Sequence, residues 1–189
     1  MKRKSTDSYT KLPYKKYKKH KIHAIKNILG YFNVRSPYII FDMMAGVGIC
    51  YKLVKNYLNV HEYIMNDINL ECINFLNSKF PNNKITQRDA WRIRLRKKFD
   101  IVLFDCNNFT LNKPEKKKLI RWIVLNKSKF DYLILTDSFR FSLKFLKTTE
   151  MREIAWKEYV KRIEDELQLS IKRISIYDNN DCALFILKN

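Results

Sequence analysis

The chain alternates between short apolar runs and longer segments in which apolar residues recur at helical spacing. Near-continuous apolar runs such as Tyr38–Phe41 and Phe99–Asp105 are typical of strands that are covered on both faces of a parallel sheet. Thr149–Leu167 instead carries its apolar residues in one stripe, which predicts an amphipathic helix. The pattern predicts five strands: Tyr38–Phe41, Tyr63–Met65, Lys84–Thr86, Phe99–Asp105 and Asp131–Leu135. It predicts five helices: Tyr14–Phe32, Ile49–Leu58, Leu70–Phe80, Glu115–Leu125 and Thr149–Leu167.

The last part of the chain has a different pattern. Ile171–Tyr177 and Cys182–Leu187 are apolar segments on either side of a polar turn, which predicts a hairpin. Strands that alternate with helices, followed by a hairpin, indicate an α/β fold whose sheet is mostly parallel with an antiparallel C-terminal pair. No repeat or low-complexity linker divides the 189 residues. We therefore expect a flexible basic arm at residues 1–13 and a single domain at residues 14–189.

Gly46 and Gly48 follow the first predicted strand, and they are two of only three glycines in the chain. Glycine lets the backbone adopt φ > 0 and approach a ligand closely, so this turn into a helix N-terminus predicts a nucleotide-sized binding edge. A dinucleotide fingerprint would place a third glycine where this chain has Tyr51, whose side chain is too large for that packing. Asp42 precedes the glycines, where it would repel a pyrophosphate but accept a hydrogen bond from an amino group.

An acidic residue ends or follows each of the first four predicted strands. Asp67 lies nineteen positions after Gly48, close to the interval at which an acid meets a ribose in nucleotide-binding α/β folds. A carboxylate can accept from both vicinal hydroxyls of a ribose, although Asp67 or Asn69 could also cap the following helix. Because the carboxyl ends of parallel strands meet at one edge of a sheet, we expect the acids to lie together there. They are Asp42, Asp67, Asp89 and Asp105.

The net charge of +19, from 38 basic and 19 acidic residues, predicts a polyanionic partner, with nucleic acid favoured over an anionic membrane surface. Lysines crowd one face of the first predicted helix, which favours contact with phosphates over a merely solvated surface. Further basic side chains alternate with apolar ones before the fourth strand and recur in the fourth helix. The candidate nucleic-acid-binding residues are Lys15, Lys16, Lys18, Lys19, Arg92, Arg94, Arg96, Lys117, Arg121 and Arg140.

The cysteines are few and far apart. None has C-x-x-C spacing, so we expect reduced thiols and neither a metal site nor a disulfide framework. No apolar run reaches the ~20 residues of a membrane span, and no signal-peptide pattern follows the charged N-terminus. These features predict an intracellular protein of the cytoplasm, with the nucleoid, the nucleus or a host cell left open.

Four short segments resemble the motifs of one enzyme family. Asp42-x-x-Ala45-Gly46-x-Gly48 resembles the first motif of the class I S-adenosylmethionine (SAM) dependent methyltransferases, in which the loop wraps the amino-acid end of the cofactor. Asn66-Asp67-Ile68-Asn69 resembles the second motif, and Asp89-Ala90 the third. Asp105-Cys106-Asn107-Asn108-Phe109 resembles the fourth motif, beside the transferred methyl group. The resemblance runs from about Ile22 to the end of the chain and implies a three-layer Rossmann-like sheet that binds SAM.

The resemblance implies a role for each matched residue. The implied cofactor-binding residues are Asp42, Ala45, Gly46, Gly48, Asp67, Asp89, Ala90 and Asp105. At the methyl-transfer position, Asp105 or Asn107 would supply a hydrogen-bond acceptor and Phe109 a stacking ring. The fourth motif lacks both prolines of the Asp/Asn-Pro-Pro-aromatic signature of amino-methylating nucleic-acid enzymes. A second reading makes Cys106 a nucleophile toward a pyrimidine ring.

Together with the charge, the resemblance implies a methyltransferase that acts on nucleic acid, with RNA favoured over DNA. We expect no separate target-recognition domain, so discrimination would come from RNA shape or from a protein partner, and we expect a monomer. Two alternatives stay open. One is a catalytically inactive, methyltransferase-like subunit that binds nucleic acid. The other is a small-molecule or protein methyltransferase whose lysine content reflects an AT-rich genome.

Overall fold

The structure is a computed structural model that describes residues 13–104, 113–138, 149–177 and 182–189. All of the predicted helices and strands are present, with their ends shifted by up to four residues. The helices are α1 (Pro13–Leu29), α2 (Ile49–Tyr57), α3 (Leu70–Lys79), α4 (Lys113–Asn126) and α5 (Thr149–Leu167). The strands are β1 (Pro37–Asp42), β2 (Asn59–Asp67), β3 (Lys84–Gln87), β4 (Phe99–Phe104), β5 (Phe130–Ser138), β6 (Ser170–Tyr177) and β7 (Cys182–Lys188).

The strands form one seven-stranded sheet in the order β3-β2-β1-β4-β5-β7-β6. The first five strands are parallel, whereas β7 pairs antiparallel with both β5 and β6. The chain builds β1, β2 and β3 outward and then returns to place β4 on the other side of β1. An open α/β sheet binds its ligand where the strand order reverses in this way, outside the carboxyl ends of the strands. The predicted fold class is therefore confirmed, and this rule places a ligand at the carboxyl ends of β1 and β4.

Helices cover both faces of the sheet and give it three layers. On one face, Ile28 of α1, Val54 of α2 and Leu76 of α3 belong to one apolar core. On the other face, Trp122 of α4 and Ile163 of α5 belong to a second core. Strand residues are divided between the two cores because successive side chains point to opposite faces. No helix in the described ranges is long and apolar enough to cross a membrane.

One strand extends well beyond its predicted bounds. β2 is longer than predicted, since its polar first half pairs with the start of β1, including Pro37 with Asn59. The link from β3 to β4 contains only a short 3-10 turn, Ala90–Arg92, before an extended stretch. The expected arm lies outside the described residues except for Pro13, with which α1 begins.

Candidate cofactor-binding site

The loop between β1 and α2 has the backbone that the two glycines predict. Gly46 and Gly48 have φ angles of +53° and +72°, in the left-handed region that side chains disfavour. The N–H of Ala45 donates to the carbonyl of Asn66 at 2.8 Å, and the N–H of Gly48 donates to the carbonyl of Ala45 at 2.8 Å. These bonds tie the loop to the end of β2 and close it into a tight turn at the N-terminus of α2.

The two glycines face different surroundings. A Cβ atom on Gly48 would lie 2.6 Å from Cε2 of Phe80 and 3.2 Å from Leu76, so this glycine lets the loop pack against α3 and the residue after it. A Cβ atom on Gly46 would meet nothing within 4 Å. Gly48 is therefore needed for packing, whereas Gly46 borders open space at the carboxyl edge of the sheet.

We expect Gly48→Ala to lower the free energy of unfolding by about 3 kcal/mol and the melting temperature by roughly 9 °C. The left-handed φ and the contact with Phe80 both contribute to this loss. Gly46→Ala meets only the φ penalty, so we expect a loss of about 1 kcal/mol. Thermal unfolding of the two variants measures the difference. Adding Phe80→Leu should recover part of the stability that Gly48→Ala loses, and equal melting temperatures for the two glycine variants would contradict this account.

Asp67 joins the end of β2 to the glycine loop. Its Oδ2 accepts from the N–H of Gly46 at 2.9 Å, and its Oδ1 accepts from the N–H of Asn69 at 2.9 Å. Asn69 in turn caps α3 by accepting from the N–H of Glu71 at 2.9 Å. The sequence left capping open between Asp67 and Asn69, and the structure gives the cap to Asn69. A carboxylate has about four acceptor positions, so Asp67 keeps capacity for a further donor on its partly exposed side.

Asn66 is a fully buried scaffold residue that sequence reasoning missed. Its Nδ2 donates to the carbonyls of Met43 and Arg88, both at 3.0 Å, and its Oδ1 accepts from the hydroxyl of Thr86 at 2.9 Å. The side-chain amide of Asn66, at the end of β2, therefore bonds to the segments that follow β1 and β3. These are the strands on either side of β2 in the sheet. The sequence signal for Asn66 was an asparagine directly after the apolar run Tyr63–Met65, and this asparagine is completely buried in the structure.

Asp42 lies inside the protein, below the loop. The residue is 1% exposed, and its Oδ2 accepts from the hydroxyl of Tyr63 on the neighbouring strand at 2.9 Å. The ring of Tyr63 also packs edge-on against Tyr51, at 5.0 Å between centroids. Tyr51, which occupies the place of a dinucleotide fingerprint's third glycine, thus belongs to the core beneath the loop. Contact between Asp42 and an amino group of a cofactor stays a prediction.

Asp89 and Ala90 follow β3 at the same edge. Asp89 caps the 3-10 turn, because its Oδ1 accepts from the N–H of Trp91 at 3.0 Å, and its Oδ2 lies 3.5 Å from Nε of Arg92. Its side chain is 35% exposed, whereas Ala90 is buried. The carboxylate therefore remains accessible from the edge. Its contact with an adenine amino group stays a prediction.

The fourth motif falls outside the described residues. β4 ends at Phe104, and the predicted catalytic residues Asp105, Asn107 and Phe109 follow it, as does Cys106.

Among the described residues, no group of histidine, cysteine or acidic side chains is arranged to hold a metal ion. Burial raises the pKa of the Cys72 thiol, and the carboxylates of Asp67 and Glu71 add to the increase, so this thiol stays protonated near neutral pH.

The predicted nucleic-acid-binding residues divide into two groups. Five of them are exposed in the described part of the chain: Arg92, Arg94, Arg96, Lys117 and Arg121. Lys15, Lys16, Lys18 and Lys19 lie on the backbone of α1, but their side chains are outside the described part, and Arg140 is outside it altogether. Their contacts with nucleic acid stay predictions.

The described residues fit the cofactor that the motifs imply. SAM presents an amino-acid group, two ribose hydroxyls and an adenine amine, which are all suited to backbone and carboxylate partners. The carboxyl edge supplies open space beside Gly46, and it supplies partly exposed carboxylates at Asp67 and Asp89. An open edge, a left-handed glycine and two acids from neighbouring strands form the kind of cradle that a nucleoside needs.

The topology and this edge define the class I SAM-dependent methyltransferase fold. No protein-family model matches the chain, and no curated protein is similar to it in sequence. A SAM-dependent methyltransferase from Clostridium acetobutylicum superposes with a TM-score of 0.65, at 13% identity over 96% of each chain. The chain thus has this fold.

Two further solved structures support the same assignment of the fold. The complex between the Haloferax volcanii Trm112 methyltransferase activator and a putative methyltransferase contains a chain that superposes with a TM-score of 0.64, at 10% identity. That match covers 100% of this chain and 99% of the other. The 16S rRNA methyltransferase RmtF, solved with S-adenosylhomocysteine, gives a TM-score of 0.61 at 11% identity, over 94% of this chain and 65% of its own.

Proposed function

We propose that the protein is a SAM-dependent methyltransferase that acts on nucleic acid, with RNA as the favoured acceptor. The observation that carries this proposal is the clamp at the carboxyl edge, where Asp67 holds the N–H of Gly46 at 2.9 Å beside open space. A carboxylate fixed in this way keeps acceptor capacity for vicinal hydroxyls, and the glycine leaves room for the rest of the ligand. SAM, when bound, supplies an electrophilic methyl group.

The chain's own residues would bind and orient the two reactants. Asp67 would accept from the ribose hydroxyls and Asp89 from the adenine amine, while the Ala45–Gly48 loop would surround the amino-acid end. Asp105, Asn107 and Phe109 would position the acceptor atom. Methyl transfer needs the acceptor and the methyl group in line, so orientation and exclusion of water would supply much of the rate without a strong base.

The charge of the protein supports a nucleic-acid acceptor. The net charge is +19, and the five described basic candidates are all exposed. One structure with this fold is a 16S rRNA methyltransferase, and another contains a methyltransferase activator. We therefore include a protein partner for target recognition in the proposal.

Transfer of label from methyl-labelled SAM to nucleic acid tests the proposal. Purified protein is incubated with transfer RNA, ribosomal RNA and duplex DNA in parallel, with S-adenosylhomocysteine added in a second series as an inhibitor. We expect label in RNA above that in DNA, falling as salt is raised, because phosphate contacts weaken with salt. Binding of SAM without label in either nucleic acid, but with label in protein or small molecules, would contradict the proposed acceptor. Binding of nucleic acid without SAM would favour an inactive binding subunit.

A further inference from the structure

Two basic regions that are separate in sequence lie side by side in the fold. The extended segment after the 3-10 turn runs along α4, and the side chain of Asn126 holds it there. Asn126 is buried, its Oδ1 accepts from the N–H of Leu95 at 2.7 Å, and its Nδ2 donates to the carbonyl of Ile93 at 3.2 Å. The same Nδ2 donates to the carbonyl of Trp122 at 2.9 Å within α4. These bonds fix the segment to the C-terminal end of the helix.

The other end of the segment, at Trp91, lies next to Lys118 of α4. The ring of Trp91 packs against Phe104 at the end of β4, with 4.9 Å between centroids, and Nζ of Lys118 lies 5.9 Å from the Trp91 ring. Lys118, Trp122 and Asn126 recur every four residues and therefore share one face of α4. From Lys118 to Asn126 the helix rises about 12 Å, and the segment accompanies it over that distance.

The side chains of the segment alternate between the core and the surface. Ile93 and Leu95 are buried, so Arg92, Arg94 and Arg96 project outward. On α4, exposed basic residues lie next to the face that holds the segment. We define the basic ridge as Arg92, Arg94, Arg96, Lys117, Lys118 and Arg121, all of them exposed.

The ridge is poor in compensating acids. Among the ion pairs of the described residues, one involves the ridge: Oδ2 of Asp89 lies 3.5 Å from Nε of Arg92, whose side chain is 88% exposed. The two lysines that follow the ridge are different, since Lys97 pairs with Glu62, and Lys98 pairs with Asp131 at 2.8 Å. The hydrogen bond to Asp131 also raises the pKa of Lys98. Ion pairs thus neutralise the end of the segment, while the ridge keeps its charge for a partner.

We propose that the basic ridge holds the phosphate backbone of the acceptor nucleic acid. This inference rests on the proposed function and adds a path for the acceptor strand, from the flank of α4 to the edge where β4 ends. About 12 Å of ridge is long enough to contact more than one phosphate of an acceptor strand. Val124 and Leu125 are 71% and 48% exposed on the same helix, which would suit a protein surface, but the excess of unpaired cations favours a polyanion.

The test compares two variants that each lose three positive charges. The ridge variant carries Arg94→Gln, Arg96→Gln and Arg121→Gln. The control carries Arg35→Gln, Lys79→Gln and Lys84→Gln, which are exposed before β1, at the end of α3 and at the start of β3, outside the basic ridge. Binding of a fluorescein-labelled 20-nucleotide single-stranded RNA is measured by anisotropy between 50 and 300 mM KCl. Thermal unfolding and SAM titration of both variants check that the fold and the cofactor site are intact.

We expect the ridge variant to bind RNA roughly tenfold or more weakly at 0.1 M salt, with the slope of log K against log salt reduced by about 2. The control should keep a slope within about 0.7 of the wild type. A ridge variant that binds RNA as tightly as the control does would contradict the proposed role of the basic ridge in RNA binding. That result would indicate a protein partner for this surface. Wild-type protein that binds SAM but no RNA would instead overturn the nucleic-acid acceptor itself, so the two failures are distinguishable.

Discussion

Replacement of Asp67 by alanine is expected to weaken SAM binding by about 100-fold, measured by calorimetric titration. The proposed role gives Asp67 two hydroxyl donors from the ribose, and hydrogen bonds to a charged acceptor contribute about 1.5–3 kcal/mol each. The variant also releases the N–H of Gly46, which Oδ2 of Asp67 holds at 2.9 Å. Loss of about 3 kcal/mol corresponds to the expected change in Kd.

A matched control separates the local charge from the specific contact. Glu71 is an exposed acid four positions further along the chain, in the first turn of α3, so Glu71→Ala removes a nearby charge without touching the clamp. We expect Glu71→Ala to bind SAM within about threefold of the wild type, since an exposed charge near a helix end is worth about 0.5 kcal/mol. An equal loss of SAM affinity in Asp67→Ala and Glu71→Ala would show that Asp67 acts only through its negative charge and not through a specific contact.

The ribose contact can be separated from the loop contact with a second ligand. S-adenosylhomocysteine and its 2′-deoxy analogue differ by one hydroxyl, so their affinity ratio reports on the partner of that hydroxyl. In the wild type we expect the deoxy analogue to bind about tenfold more weakly, and in Asp67→Ala we expect the ratio to approach one. A ratio that stays the same in the variant would mean that Asp67 serves the loop alone.

The parts of the site that sequence predicted are those set by local chemistry. Two glycines in a chain with only three required an unusual backbone, and both have positive φ. The ends of β1, β2 and β4 were marked by apolar runs that stop at a polar residue, which is a local signal of a strand covered on both faces. The placement of Asp67 at the end of β2 followed from the interval after Gly48, because one helix and one strand need a nearly constant length of chain.

The parts that sequence did not predict depend on which residues the fold brings together. The bond between Asp42 and Tyr63 follows from the register that pairs Ile40 with Tyr63, and no local pattern states a register. The first half of β2 is polar, so its strand character comes from pairing with β1 rather than from its own residues. The contact between the arginine segment and α4 joins Leu95 to Asn126, 31 positions apart.

Asn66→Ala is expected to lower the free energy of unfolding by about 4 kcal/mol and the melting temperature by roughly 12 °C. The substitution removes the donor that two carbonyls share and the acceptor of the Thr86 hydroxyl. The bond to Met43 is buried, whereas the bonds to Arg88 and Thr86 are part-buried, so their loss costs less than the loss of a fully buried bond. A buried polar group that loses its partner costs about 1–3 kcal/mol, and three groups are affected. Scanning calorimetry of the wild type and the variant measures the change.

Asn69→Ala provides the matched comparison, since it removes an asparagine three positions later that is exposed and caps α3 with one bond to Glu71. Loss of such a cap costs about 1 kcal/mol, or roughly 3 °C in melting temperature.

Asn66→Asp keeps the shape of the side chain but turns an oxygen toward the carbonyls of Met43 and Arg88, so it should be at least as unstable as Asn66→Ala at neutral pH. Protonation of the new carboxyl restores one donor. The loss of unfolding free energy in Asn66→Asp should therefore become smaller as the pH falls toward 5. Should Asn66→Ala melt within about 3 °C of the wild type, the amide would not be what joins the three strand ends, and the loop would depend on its backbone bonds alone.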